Sequence, residues 1–559
     1  MDSISKPARW LVLLTALAML AVACGDGGGT TDDPTDGESA PSESEAAGGT
    51  RVEGGTVVFG ADQEPGILNT FLADGNLFAN GLIVSAILSP LWMITPEFEY
   101  EPLLLERIPE ITEDPFTVTY KLKEDAVWSD GEPITAEDII FTQETLLNPK
   151  WTITDRSGHD QVTKTEAIDE KTAKFTFKEP YAPWRTMFST SSGAILPKHL
   201  LEGENFNKVW NDEITASSGP FEFDSWDKGQ QITLKRNENW WGGTASLDEV
   251  VIKFYPDSNT QVQALKGDEV DMFYPQPQLD LVEQVAEIDG ITTEVNSGTV
   301  WEHIDFQNQT PPLDKVYVRQ AIAKAIDRDA IVEQFIKPLN DEAETLNNVV
   351  WMPNQEFYED HWGEVISYDP AAAEKLLTDN GCTKEGEVYS CEGEPLEFEY
   401  ATTAGNELRE LQLEVVQQQL AEVGIKINAA VDDAAVVFSE KFMTSKTAWD
   451  LFNFAWVGSP DPVGGNPSWM CDSPPSINPS KYCNPEVDKL LNQTDREVDP
   501  AARAAVWNEA DALMAQDVPT VPLYQKPTYF AWRDTIVGPQ DNPTQIGPFW
   551  NIGEWYLTE

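Results

Sequence analysis

The stretch that decides the fold is Tyr120-Lys121-Leu122-Lys123, followed by Trp128-Ser129-Asp130-Gly131-Glu132-Pro133-Ile134-Thr135-Ala136-Glu137-Asp138. It reads as strand, turn and helix in succession. Val118, Tyr120 and Leu122 alternate across Thr117–Lys123 and so share one face of a strand. Asp130-Gly131 marks the turn. Thr135, with an acid three residues on, opens a helix by a capping-box pattern.

The same alternation of elements continues outward in both directions. Thr56-Val57-Val58-Phe59-Gly60 is an opening strand, followed by the loop Glu64-Pro65-Gly66-Ile67-Leu68-Asn69-Thr70. Lys174–Lys178 alternates through Phe175 and Phe177, and Gln231–Lys235 through Ile232 and Leu234. Val316, Val318, Ile322, Ala325, Ile326 and Val332 fall on one helical stripe. Asp369-Pro370 caps a helix that Gly381 ends. Leu408–Val423 is another helix, closed by Gly424 and followed by a strand through Ile425 and Ile427. Mixed strands and helices over this length predict an α/β fold built around open sheets. No short-period repeat is present.

The first residues are read separately. Lys6 and Arg9 precede an apolar run, Leu11–Val22, that is too short to cross a bilayer; Ala21-Val22-Ala23 then leads into Cys24. This is an export signal, residues 1–23. A Cys after small residues resembles a bacterial lipobox, which implies lipid on Cys24 and a protein anchored to the extracytoplasmic face of the cell membrane. Residues 24–53 are Gly, Ser, Thr, Asp and Glu with little to bury, so a disordered acidic linker is expected. It would reach roughly 30 Å. No later segment is long and apolar enough for a membrane helix.

Roughly 500 residues remain to fold, too many for one core, so two or three lobes are expected. The balance of 37 basic and 95 acidic residues gives a net charge of −58, which excludes nucleic acid as a partner. It fits a solvated acidic surface or the attraction of cationic ligands. Paired carboxylates carry no signal in such a chain. Beyond Cys24, four cysteines remain. The neighbours Cys382 and Cys391, and Cys471 and Cys483, are expected to form two local disulfides in an oxidising compartment. Each closes a loop worth roughly 2.5–3 kcal/mol. Neither pair has zinc-site spacing. The four histidines, His159, His199, His303 and His361, show no metal-ligand spacing, so neither metal nor cofactor is expected.

Several phrases recur in a fixed order. The opening stretch is followed by Ser218-Gly219-Pro220-Phe221 and by Leu234-Lys235-Arg236-Asn237-Glu238-Asn239-Trp240-Trp241. Ala264-Leu265-Lys266-Gly267-Asp268-Glu269-Val270-Asp271 and Val318-Arg319-Gln320-Ala321-Ile322 come next, with Ala325-Ile326-Asp327-Arg328, and last Asp461-Pro462 after Trp456. From about Gly54 to the C-terminus the chain resembles the family 5 solute-binding proteins of ABC importers, the oligopeptide, dipeptide and nickel-binding group. The resemblance implies a two-lobed periplasmic-binding-protein-like fold (type II). Lobe I would span 54–306 with an inserted subdomain at about 90–215, lobe II 307–522, and residues 523–559 would return to lobe I. The crossings would lie near Phe306 and near Pro522-Leu523-Tyr524. A ligand between the lobes would close them for a membrane permease to read. A monomer is expected.

The segment Trp456-Val457-Gly458-Ser459-Pro460-Asp461-Pro462 follows an apolar strand, Leu451–Ala455, and is the leading site candidate. The resemblance implies an Asp three places after the Trp, holding a peptide's α-ammonium. Here that place is Ser459, a weaker neutral partner than a carboxylate. Asp461 either substitutes for it or serves as a turn residue before Pro. Asn69, Trp301, Asn466 and Trp469 are the remaining ligand-contact candidates, with packing as their alternative role. Large rigid side chains suit a cleft that must seal around a solute.

The expected function is capture of an oligopeptide or similar polar solute for an ABC permease. The alternatives are a non-peptide solute, such as an oligosaccharide or opine-like compound, and a surface sensor on the same fold. A hydrolase is disfavoured, because Gly-x-Ser-x-Gly, HExxH and Walker-type motifs are missing from the sequence.

Overall fold

The computed structural model describes residues 49–190 and 193–559. The export signal, Cys24 and most of the acidic linker lie outside the described residues. The linker's last residues do not stay unstructured. Arg51–Val52 pairs antiparallel with Tyr556–Thr558, through Arg51 with Thr558 and Val52 with Leu557. The ordered body therefore begins before Gly54, because the C-terminal strand offers an edge for these residues to pair with.

Three sheets organise the body. A seven-stranded sheet forms around the opening strand, Thr56–Ala61, which lies parallel to Glu249–Phe254 on one side and Met272–Phe273 on the other. A four-stranded antiparallel sheet spans Glu110–Glu113, Phe116–Lys121, Thr172–Phe177 and Val162–Asp169. It is inserted between the opening strand and the return of the chain at Phe221–Asp227. A five-stranded sheet in the second half runs Lys426–Asp432, Glu397–Thr403, Leu451–Val457, Ser297–Phe306 and Thr520–Pro527. The first two sheets share one apolar core containing Trp92, Trp128 and Trp555. The five-stranded sheet has its own, containing Trp362, Trp507 and Tyr524. Two such cores make two lobes.

The crossings between lobes differ from the expectation. Ser297–Phe306 belongs wholly to the second lobe's sheet, paired with Leu451–Val457 and Thr520–Pro527. Ile291–Glu294 and Phe530–Arg533 pair with each other in the first lobe's sheet. The chain therefore crosses between Glu294 and Ser297, and again at Thr528-Tyr529, rather than near Phe306 and Pro522. The cause is pairing: Ser297–Phe306 is buried between two strands of the second lobe although it carries Glu302, His303 and Asp305, which leaves only short connectors outside either sheet. The connectors are tied together, Thr528 N–H donating to the Asn296 carbonyl at 2.8 Å.

Most local readings carry through. The helix after the opening stretch is Ala136–Leu147, and the Asp138 carboxylate accepts from the Thr135 backbone at 2.7 Å. Asp369 caps Pro370–Asp379 by accepting from Ala372 N at 2.9 Å. Glu407–Glu422 ends before Gly424, whose φ of 75° suits only glycine comfortably. The stripe from Val316 to Val332 is not one helix. It breaks after Lys324, and Asp327 starts a new turn by accepting from Ala330 N at 2.9 Å. The capping carboxylate competes with helix continuation and wins. Cys382–Cys391 and Cys471–Cys483 are both disulfides. Among the described residues no helix is long and apolar enough to cross a membrane.

Candidate functional site

The two central strands of the second lobe build the site. In their antiparallel register Trp301 is paired with Trp456, so sheet pairing puts both side chains on one face, and each ring meets His303. His303 stacks on Trp456 with ring centroids 5.8 Å apart and planes within 6°, and Phe454 meets Trp456 edge-on at 5.0 Å. Strand structure continues through Val457, so Trp456 is held by the sheet and the loop begins only at Gly458. Gly458 is fixed from both sides. Its N–H donates to the Thr299 carbonyl at 3.0 Å, and the Thr299 hydroxyl donates to its carbonyl at 2.8 Å. A Cβ at this position would lie 2.7 Å from the Thr299 carbonyl oxygen, so only glycine allows the approach.

Beyond these strands lies a cavity of about 320 Å³ whose wall includes Trp301, Trp456, Ser459, Asn466 and Trp469. Five of the seven predicted contact residues thus converge on one space. The Trp456 indole N–H is buried and has no hydrogen-bond partner among the described residues. Asn466 is part of the wall, but its polar atoms are engaged within the chain: its amide donates to Thr494 Oγ1 at 3.0 Å and its oxygen accepts from Trp507 Nε1 at 3.0 Å. The Ser459 hydroxyl donates to the Asp461 carbonyl at 2.5 Å.

Asp461 lies outside this wall, in that of a neighbouring cavity of about 660 Å³, and Asn69 lines none of the three cavities described here. Arg503 grips the Asp461 carboxylate with both terminal nitrogens, Nη1 to Oδ2 at 2.6 Å and Nη2 to Oδ1 at 3.1 Å. Oδ1 also accepts from Val463 N at 3.1 Å. Asp461 is therefore the turn residue, already neutralised, and is not a free anchor for an ammonium. Asn69 is fully buried. Its amide donates to the Val209 carbonyl at 3.0 Å and its oxygen accepts from Phe71 N at 3.1 Å, so it holds lobe I together and touches no cavity. In the same loop, Glu64 accepts from Trp226 Nε1 and Gly229 N, again within lobe I.

Two further cavities adjoin. One of about 660 Å³ shares Gln355 and Pro462 with the tryptophan cavity. The other, of about 650 Å³, shares Glu97 and Asn354 with the second. Residues of both lobes line these two, and the three follow one another through shared wall residues. Lobe II also holds a buried ion pair that the sequence did not reveal. Arg409 holds Glu302 with Nη2 to Oε1 at 2.8 Å and Nε to Oε2 at 3.1 Å. Burial alone would raise the Glu302 carboxyl, but Arg409 and the nearby Lys526 outweigh it and hold it low. Burial pushes the Lys526 ammonium down to about 8, opposed by Glu302. Nothing distinguishes Glu302 in sequence from the chain's other acids. Among the described residues no group of three or more His, Cys, Asp or Glu side chains could hold a metal ion.

Comparison with known proteins follows the same outline. The family model for bacterial extracellular solute-binding proteins, family 5, matches residues 99–477. The oligopeptide-binding protein OppA of Mycobacterium tuberculosis is 29% identical over 496 residues, covering 87% of this chain and 82% of OppA. Among solved structures, the periplasmic EDTA-binding protein EppA aligns with a TM-score of 0.85 at 27% identity, over 91% of this chain and 98% of EppA. The Bacillus subtilis oligopeptide-binding protein AppA, in complex with a nonapeptide, has the same fold at a TM-score of 0.77 and 22% identity, over 91% of this chain and all of AppA's. With two lobes joined by two short connectors, and a family model matching most of its length, this chain belongs to the family 5 bacterial extracellular solute-binding proteins.

Proposed function

We propose that the protein captures an oligopeptide between its lobes and presents it to the permease of an ABC importer. The observation that carries this reading is the succession of three cavities with shared walls, the tryptophan cavity and two lined by both lobes. A volume of about 320 Å³ suits one or two side chains rather than a whole solute. The adjoining cavities leave room for the rest of an extended chain. The unpartnered Trp456 N–H suits a peptide carbonyl. The names of OppA and AppA, and the nonapeptide held by AppA, point the same way. A non-peptide polar solute is the second reading. It is favoured by Ser459, by the engagement of Asp461 with Arg503, and by the likeness to an EDTA-binding protein.

Equilibrium dialysis against mixed tri- to nonapeptides, with the retained peptides identified, tests the first reading. Wild-type protein is expected to retain a peptide subset, and Trp456→Ala to lower its affinity about tenfold, or roughly 1.4 kcal/mol. Retention of none, or equal retention by the variant, contradicts this site. The lobes are expected to act as a monomer tethered through lipid on Cys24. Cys24→Ala should then release the protein from cell membranes into the soluble fraction; continued membrane attachment overturns the anchor.

A further inference from the structure

We infer that the solute carries a basic group, an ammonium or guanidinium, which seats in the acidic cavity beside the lobe crossings. This rests on the interlobe-binding reading above. The cavity of about 650 Å³ takes Glu294 from the first crossing, Asp541 from the C-terminal segment, Glu342 and Glu344 from lobe II, and Glu97 from lobe I. Lys and Arg are missing from its wall, and none of the five carboxylates forms an ion pair among the described residues.

Asp541 gives the cavity its focus. It is 1% exposed. Its Oδ2 accepts from Asn296 Nδ2 at 3.0 Å and from the Thr528 hydroxyl at 2.5 Å. The Tyr274 hydroxyl lies against the same carboxylate. Oδ1 is buried and receives no hydrogen bond. Asp541 N–H donates to Glu294 Oε2 at 2.7 Å, which holds the second carboxylate beside the first. Burial pushes both carboxyls above their usual range, and for Glu294 the neighbouring Asp541 charge adds to it. Asp541 is a buried carboxylate with one oxygen that no described residue satisfies, Glu294 stands half-buried beside it, and neither has an ion-pair partner among the described residues, an arrangement that a bound cation would offset. No three of the acids are placed to hold a metal ion, so an organic cation fits better.

The cavity is also within reach of the solute site. Ser297 belongs to its wall and Thr299 to that of the tryptophan cavity, two residues apart on one strand, or about 7 Å. One solute can therefore place an apolar group against Trp301 and Trp456 and a cation beside Asp541. The acidic cavity would supply the carboxylate that the loop at Ser459 lacks.

Calorimetric titration with four pentapeptides tests this: pentaalanine with a free amine, its N-acetylated form, and N-acetylated forms with a central Lys or a central Glu. Wild-type protein is expected to bind an ammonium-bearing peptide at least about tenfold more tightly than the acetylated neutral one. Which one wins tells α-ammonium from side-chain ammonium. High salt should narrow the gap. In Asp541→Asn the ratio should collapse toward one. In Glu342→Gln/Glu344→Gln, whose sites are exposed and whose folding is not at risk, it should fall part of the way. Equal affinities for all four peptides overturn the inference and leave interlobe binding standing. A preference that survives both variants, or one for the Glu peptide, overturns it too. If no pentapeptide binds, the peptide reading fails, and spermidine becomes the deciding probe: binding lost in Asp541→Asn supports the acidic seat, and no binding overturns it.

Discussion

Asp495 ends the helix Pro485–Thr494 close to the Arg503–Asp461 pair. Its backbone carbonyl accepts from Ala182 N at 2.7 Å, a bridge from the inserted subdomain to lobe II. Its carboxyl is pushed up to about 6, first by burial, against the pull of Arg503 and with the repulsion of Asp461. A carboxyl raised in the folded state favours folding only while protonated. That contribution is present below about pH 4 and is lost as pH rises through about 6. Asp495→Asn keeps the backbone bridge, so it should stabilise the protein at pH 7 by on the order of 1 kcal/mol after solvent screening. The gain should vanish below pH 4. Urea denaturation at both pH values measures it, and equal stability at pH 7 contradicts the assignment. Residues of this kind were not legible in sequence, because with 95 acids no single Asp stands out. Trp301, Trp456 and Trp469 reach one cavity wall through strand pairing and the turn that follows it. Asn69 and Asn466 spend their amides inside the chain, because a buried amide serves backbone carbonyls and hydroxyls as readily as it serves a ligand.

At the scale of elements, the reading succeeded where a local device sets a boundary: the Thr135 cap, the Asp369-Pro370 start and the Gly424 stop. It failed where tertiary pairing decides. The apolar period from Val316 to Val332 could not reveal the break at Asp327, and nothing in Ser297–Phe306 announces which lobe's sheet will hold it. The disulfides separate stability from binding. Cys471–Cys483 closes the segment that carries Ile477 and follows Trp469, both part of the tryptophan cavity wall. Cys382–Cys391 joins a small hairpin, Thr383–Glu385 with Val388–Cys391, away from the cavities. Replacing either pair by Ser should lower stability by roughly 2.5–3 kcal/mol. Only the Cys471→Ser/Cys483→Ser protein should also bind its solute more weakly. Unchanged affinity there, measured by titration, would mean that the wall holds its shape without the bond.

At the scale of the molecule, two cores joined by two short connectors make a hinge, and the buried Glu302–Arg409 pair with Lys526 lies close to it. A solute that touches both lobes must favour their approach, or the permease has nothing to read. The overall fold was legible because its phrases keep their order along the chain. The solute was not, because it is set by how Glu294, Glu342 and Asp541, far apart in sequence, come to wall one cavity. The most direct test is native mass spectrometry of protein gently purified from its own cell membranes, with the released solute sequenced. The account predicts one-to-one adducts whose masses differ by amino-acid residues, with basic peptides prominent among them. A single non-peptide mass, or neutral and acidic peptides alone, would contradict it.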